Sequence, residues 1–166
     1  MAIFTWHNGT VPENMEIRQV YGLIFSRDGR ILLRVEDVNG VLKYSLAGGH
    51  PEVYDKGIEE TIRRELLEEI NITITEPLLV GYQEVDDENQ SPSYAQVRMT
   101  ALIDSVGAVR PDLDNKKIYA RLLVSPIRAN DFLKWGEVGL AQINMAMDIA
   151  SKAFGIKTFS DKEEYI

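Results

Sequence analysis

The stretch Arg64-Glu65-Leu66-Leu67-Glu68-Glu69-Ile70-Asn71-Ile72 interleaves charged and apolar side chains at spacings that an α-helix sorts onto two faces. Followed back to Gly57, the apolar set Ile58, Ile62, Leu66 and Ile70 recurs every four residues with no Pro or internal Gly, which predicts an amphipathic helix from Gly57 to Asn71. Asn71 tolerates the left-handed conformation that ends a helix, and the β-branched run Ile72-Thr73-Ile74-Thr75 beyond it predicts a strand. On the polar side, Glu65, Glu68 and Glu69 are spaced so that three carboxylates meet in one region of space. Bare, they repel one another. An oxygen-only set suits a hard cation, and magnesium in particular is held by a few carboxylates, water and substrate phosphate oxygens. Alone, Glu-x-x-Glu-Glu on a helix is most often solvated charge. Here it follows a short strand and the turn Gly48-Gly49, where glycine lets the backbone come close to a ligand.

Upstream, Ile17 to Ser26 is rich in β-branched and aromatic residues, Arg27-Asp28-Gly29-Arg30 has turn chemistry, and Ile31-Leu32-Leu33 returns as the second arm of a hairpin. Asp37-Val38-Asn39-Gly40 turns into a further strand from Val41 to Leu46, and the chain breaks at Ala47-Gly48-Gly49-His50-Pro51. Downstream, Leu78 to Val85 and Tyr94 to Ile103 read as strands flanking the polar loop Asp86 to Ser93. Gly107 to Asn115 is irregular, Ile118 to Val124 is a strand, and Pro126 with Asn130-Asp131 signals a turn and a helix start. Leu140, Ile143, Met147, Ala150 and Phe154 form the stripe of a last helix. No repeat, low-complexity tract or linker divides the chain, so residues 1–166 are expected to form one α/β domain, a mixed β-sheet between helices.

The 166 residues are 45% hydrophobic, enough to build a core, and their formal net charge of -8 argues against non-specific attachment to nucleic acid or an anionic membrane. No DNA-binding segment is expected. An anionic substrate therefore needs help, which a divalent cation bound among the carboxylates could give, although an acidic surface also serves solubility. Cysteine is absent, which removes disulfides, thiolate metal sites and cysteine nucleophiles and fits the cytoplasm as the expected compartment. Residues 1–9 lack a basic region followed by an apolar one, and no run of about eighteen apolar residues occurs, so neither signal peptide nor membrane span is expected.

The segment from Gly49 to Ile72 resembles the signature of the Nudix hydrolase family: a Gly, a spaced Glu, then Arg-Glu-apolar-any-Glu-Glu-any-Gly-apolar. Arg64 to Ile72 matches every position of the second half except Asn71, which stands where the family has glycine. Lys56 stands where the family keeps its early glutamate, and six residues rather than five separate it from Gly49. Either Asp55 or Glu52 supplies the missing carboxylate, or Lys56 meets a phosphate directly. The resemblance implies a Nudix-like α/β/α sandwich around a mixed β-sheet, and hydrolysis of the pyrophosphate bond of a nucleoside diphosphate linked to another moiety, with Mg2+ or Mn2+ as cofactor. It implies Glu68, Glu69 and the Gly49 carbonyl as metal ligands, with Glu65 a further ligand or the group that orients or deprotonates water, and Arg64 orienting the glutamates. The implied partner is a nucleotide-like pyrophosphate substrate; a homodimer is compatible with the family. Lys56, the longer loop and Asn71 leave one alternative, a catalytically weak Nudix-fold nucleotide-binding or regulatory module.

A general base outside this segment has candidates in Glu84, Asp86, Asp87 and Glu88 and in Asp112 and Asp114, each with a solvated loop as its ordinary role. His50 beside the glycines, Tyr82, Tyr94 and Trp135 as stacking surfaces, and Arg98 and Arg121 as phosphate partners complete the candidates. Phe132 to Gly139 is a candidate pocket wall. For each, packing is the plainer role. Substrate choice resides outside the signature.

Overall fold

Alternation along residues 20–25 sends Val20 and Ile24 to one side of a strand and Leu23 and Phe25 to the other, and all four are fully buried. A strand apolar on both faces requires cover on both. In the computed structural model, whose backbone is described for residues 1–166 and whose side chains are described at every position except 90 and 91, that cover is helical. The elements in order are β1 (Ile3–Asn8), β2 (Glu16–Phe25), β3 (Ile31–Val38), β4 (Val41–Ser45), β5 (Gly48–Gly49) and α1 (Ile58–Ile70). There follow β6 (Ile72–Ile74), β7 (Leu78–Asp87), β8 (Gln90–Val106), β9 (Ala120–Val124), α2 (Pro126–Leu133), α3 (Gly136–Phe154) and β10 (Glu164–Tyr165).

The sheet runs β1-β7-β8-β2-β3-β9-β10, with β4 on β3, β5 on β2 and β6 on β8. Only β2 and β8 pair in parallel, so the sheet is mixed. On one face Ile62, Leu66 and Ile70 of α1 join Val20, Ile24, Val97 and Met99 in a core cluster. On the other, Ala129 and Leu133 of α2 and Ile143, Ala146 and Ala150 of α3 join Leu23, Phe25, Leu33 and Leu102. This is the expected α/β/α arrangement. No helix among the described residues is long and apolar enough to cross a membrane.

The structure differs from the sequence expectation mainly at the sheet margins. Strands β1 and β10 carry no clean alternation and are largely exposed, because they join by backbone pairing to β7 and β9. The strand expected over Tyr94 to Ile103 is longer, since pairing with β7 continues to Asp87 opposite Gln90. The pair Gly48–Gly49 is a two-residue bridge, Tyr21 opposite Gly48 and Val20 opposite Gly49.

Helix α1 is stopped by Asn71 at φ 52° and ψ 49°, whose N–H turns back to the Leu66 and Leu67 carbonyls. Its side chain does more: Nδ2 donates to the Ala108 carbonyl at 3.0 Å, and the Gly107 N–H donates to the Asn71 carbonyl at 2.9 Å. The segment after β8 is thereby fastened to the helix end by two bonds, of which glycine could supply only the backbone one.

Candidate active site

Pairing of β5 with β2 sets Gly48 and Gly49 directly beside the polar face of α1. The Gly48 N–H donates to Glu69 Oε1 at 2.8 Å, and Arg34 from β3 donates to Glu69 Oε2. Arg34 is itself placed by a bond to Ser45 Oγ at 3.0 Å and by the Tyr119 ring, whose centroid lies 4.5 Å from the guanidinium carbon. One turn earlier, Glu65 lies against Gly49 so closely that a Cβ there would stand 2.5 Å from its carboxyl carbon. Arg64 Nη1 bridges the remaining pair, donating to Glu65 Oε1 at 2.9 Å and Glu68 Oε2 at 3.1 Å.

The other edge of Arg64 meets Asp55 in a two-pronged ion pair, Nε to Oδ1 at 3.0 Å and Nη2 to Oδ2 at 2.9 Å. Asp55 also accepts from Thr61 Oγ1 and from the Glu52 N–H, both at 2.9 Å. Of the groups that the sequence left open, Asp55 is the carboxylate hydrogen-bonded to Arg64, and Glu52 lines the neighbouring groove. Five residues, 50–54, separate Gly49 from Asp55, and the extra residue falls between Asp55 and the helix. Lys56 is exposed, and its N–H donates to Glu60 Oε2 at 3.0 Å at the start of α1.

Electrostatically the two ends of this network differ. Hydrogen bonds from Arg64 hold the Asp55 carboxyl well below its ordinary range despite its burial, and Arg64 is raised by the same pairing. Burial raises Glu65 and pushes Glu69 up to about 7, against the pull of Arg34 and the Gly48 N–H. A carboxyl that is 4.5 when exposed and about 7 when folded binds its proton more tightly in the folded state. Its contribution favours folding below pH 4.5 and is lost as pH rises through 7, a change on the order of 3 kcal/mol for Glu69 alone. In chelator, urea unfolding should show the metal-free chain losing stability between pH 5 and 8, and Glu69→Gln should flatten that slope. An unchanged slope would show that another group titrates.

Among the described residues no three acidic side chains are gathered as a preformed cation cage, because guanidinium groups already stand between the glutamates. The donor chemistry nevertheless fits a hard divalent cation: the groups are all oxygens, on one helix face, over a glycine with no side chain to fill the space. Gly49→Ala should therefore displace Glu65 and cut metal-dependent activity at least about tenfold while the protein stays folded. Native-like circular dichroism with unchanged activity would show that the close approach is not needed.

Two concavities flank the network. A groove of about 190 Å³ is lined by Glu52, Tyr54, Arg64, Glu65, Glu68 and Asp114 with Leu113. A larger cavity of about 620 Å³ has Tyr21, Arg34, Gln96, Arg98, Lys134 and Trp135 on its wall. Of the acids proposed outside the signature, Asp114 reaches the groove. Asp112 is buried and shapes its own loop, accepting the Asp114 N–H at 2.7 Å. Glu84 is engaged by His7 and Ser93, and Asp86, Asp87 and Glu88 lie at the β7–β8 end and line neither space. Tyr82 stacks on His7, Tyr94 lies under Arg18, and Arg121 is spent on the Ile70, Gly107 and Ile166 carbonyls. Trp135 and Arg98 do line the larger cavity. Sequence reasoning missed Arg34, although a charge inside the apolar run Ile31 to Val35 was a usable signal.

This fold and glutamate helix coincide with a family. The NUDIX domain model matches residues 15–138, and the chain belongs to the Nudix family. Among solved structures it resembles a pyrophosphohydrolase of Bacillus subtilis, at 17% identity and a TM-score of 0.57 over 72% of this chain and 70% of that one. It also resembles a NUDIX hydrolase from Nitrosomonas europaea, at 22% and 0.54 over 78% and 87% of the two chains. The E. coli ORF135 protein gives 22% and 0.56 over 87% and 99%. At such identities the likeness is one of fold. Comparison with curated protein sequences gives no match.

Proposed function

We propose that the chain is a Nudix pyrophosphohydrolase that uses magnesium to cleave the pyrophosphate of a nucleoside diphosphate linked to another moiety. The observation that carries this is the set Glu65, Glu68 and Glu69 on one helix face, tied to Gly48, Arg34 and Arg64 and packed on Gly49. Membership of the Nudix family and the fold shared with proteins described as hydrolases support it.

Glu68, Glu69 and the Gly49 carbonyl would hold the cation, with Glu65 completing the set or orienting the attacking water. Arg64 is a positioning residue, since it holds Glu65 and Glu68 while Asp55 holds it. A divalent cation held there would supply neutralisation of the pyrophosphate oxygens and a lowered pKa for the attacking water. Manganese shares its preference for oxygen donors. Arg34, which also lines the larger cavity, would hold Glu69 in place through Oε2 while the remaining lone pairs of the carboxylate face the cation.

The test is a panel of nucleoside diphosphate conjugates and nucleoside triphosphates with magnesium or with chelator, read by release of product. Turnover that requires the cation, and that Glu68→Gln removes, is the expected result. Nucleotide binding without turnover on any of them would make the chain a binding module and end the hydrolase reading.

A further inference from the structure

Arg98 is a cation buried without an anion. It is 2% exposed, and no carboxylate lies within ion-pairing distance among the described residues. Nε donates to Gln142 Oε1 at 2.9 Å and Nη1 to the Gln96 carbonyl at 3.4 Å, both neutral acceptors. The guanidinium sits between two rings, 5.1 Å from the centroid of Tyr21 and 5.1 Å from that of Trp135. The other buried arginines are provided for: Arg30 has Asp28 and Glu164, and Arg121 has three backbone carbonyls. Burial lowers Arg98 to about 10, which leaves it charged at neutral pH.

The surroundings are built to hold this charge in place. Gln142, fully buried on α3, donates to Gln83 Oε1 at 2.9 Å; Gln83 donates to Gln96 Oε1 at 3.3 Å; Gln96 donates to Gln19 Oε1 at 2.7 Å. Each amide nitrogen gives to the next amide oxygen, so the relay has one direction: it begins at the Gln142 oxygen that accepts from Arg98 and runs across β7 and β8 to Gln19 on β2. Arg98 lines the 620 Å³ cavity together with Arg34 and Lys134, and that lining contains no Asp or Glu. In a chain of net charge -8 this is a local reversal of sign beside the glutamates. A buried charge without a counter-charge is costly unless an anion pairs with it, and the described residues offer Arg98 neutral acceptors and two rings but no anion.

We propose that Arg98 is a specificity-determining residue that binds an anionic group, a carboxylate or phosphate, carried by the substrate outside its scissile pyrophosphate. This rests on the pyrophosphohydrolase reading for the pyrophosphate itself. The preferred substrates bear one charge more than a plain nucleoside diphosphate sugar. The acidity of the whole chain works against such a preference, so finding it would mark a local cause.

Matched ligands that differ by one anionic group test this: UDP-glucuronate against UDP-glucose, NADPH against NADH, and coenzyme A against its 3′-dephospho form. Equilibrium binding is measured by calorimetry with calcium in place of magnesium, so that the glutamates hold an oxygen-seeking cation, and turnover separately with magnesium. The native chain should prefer the more charged member of at least one pair by about ten- to a hundredfold. Arg98→Met, which replaces a buried charge with an apolar side chain of similar length, should erase the preference without lowering the melting temperature much, and Arg98→Lys should keep part of it. Equal affinity within every pair for the native chain, no binding by any member, or an Arg98→Met loss that falls equally on both members overturns the inference. A charge preference in binding with no turnover on any ligand upholds it and refutes the hydrolase reading instead; turnover without the preference does the reverse.

Discussion

Glu69→Gln should lower turnover by about a thousandfold while leaving the chain folded. The amide matches the carboxylate in size, so the loss is electrical. Glu69 is 5% exposed and accepts from the Gly48 N–H on one oxygen and Arg34 on the other. A carbonyl oxygen can serve one of these donors, but the NH2 group then faces the second and repels it. The variant also loses one negative charge from the set that would hold the cation, at a site where water is largely excluded and each charge weighs more. Initial rates over a magnesium titration separate the effects: a higher magnesium requirement reports lost affinity, and a lower plateau reports lost stabilisation of the transition state. Glu76→Gln is the control, since that exposed residue meets only Arg63 and should change nothing. If Glu69→Gln retains more than about a tenth of the native rate at saturating magnesium, Glu69 is no ligand.

Asp55→Asn should cost about 3–4 kcal/mol of stability. Asp55 has a side chain 2% exposed, and it meets Arg64 through both oxygens while accepting from Thr61 and Glu52. Asparagine keeps one acceptor and turns a donor toward the guanidinium, which leaves Arg64 part-buried with its pairing broken. Urea unfolding measures the loss. Activity should fall as well, since Arg64 positions Glu65 and Glu68, and the fall should appear in kcat more than in KM. Lys56→Glu offers the contrast: placing a glutamate where the family signature has one should change stability by no more than about 0.5 kcal/mol, because position 56 is exposed and Asp55 already holds Arg64. A stable Asp55→Asn chain, or a Lys56→Glu chain with sharply higher activity, would reverse this assignment of roles.

The legible and illegible parts of this chain divide along the range of the interactions concerned. Helix α1 and its carboxylates could be read because burial and charge both follow its period, and α-helical period is local. The loop carboxylate could not be placed by counting back from Arg64, since the extra residue sits at Lys56–Gly57 and the loop absorbs it before the helix begins. Strands β1 and β10 left no alternating pattern, because edge strands are held by backbone bonds that have no signature in side chains. Arg98 and Arg121 looked alike in sequence, each one charge on a strand. What separates them is tertiary: Arg121 ends among three carbonyls from distant segments, whereas Arg98 ends against a glutamine 44 residues away on α3.

Asn71 carries a consequence for motion. Glycine at that position would stop the helix and keep the backbone bond to Gly107, whereas this side chain adds a clasp on the Ala108 carbonyl. The segment so clasped runs on to Leu113 and Asp114, which form the far rim of the small groove, and the Leu113 N–H reaches back to the Glu68 carbonyl. The rim and the glutamate helix therefore move as one body. Relative motion of the two walls of the groove is thus restrained by a residue that lies outside its lining.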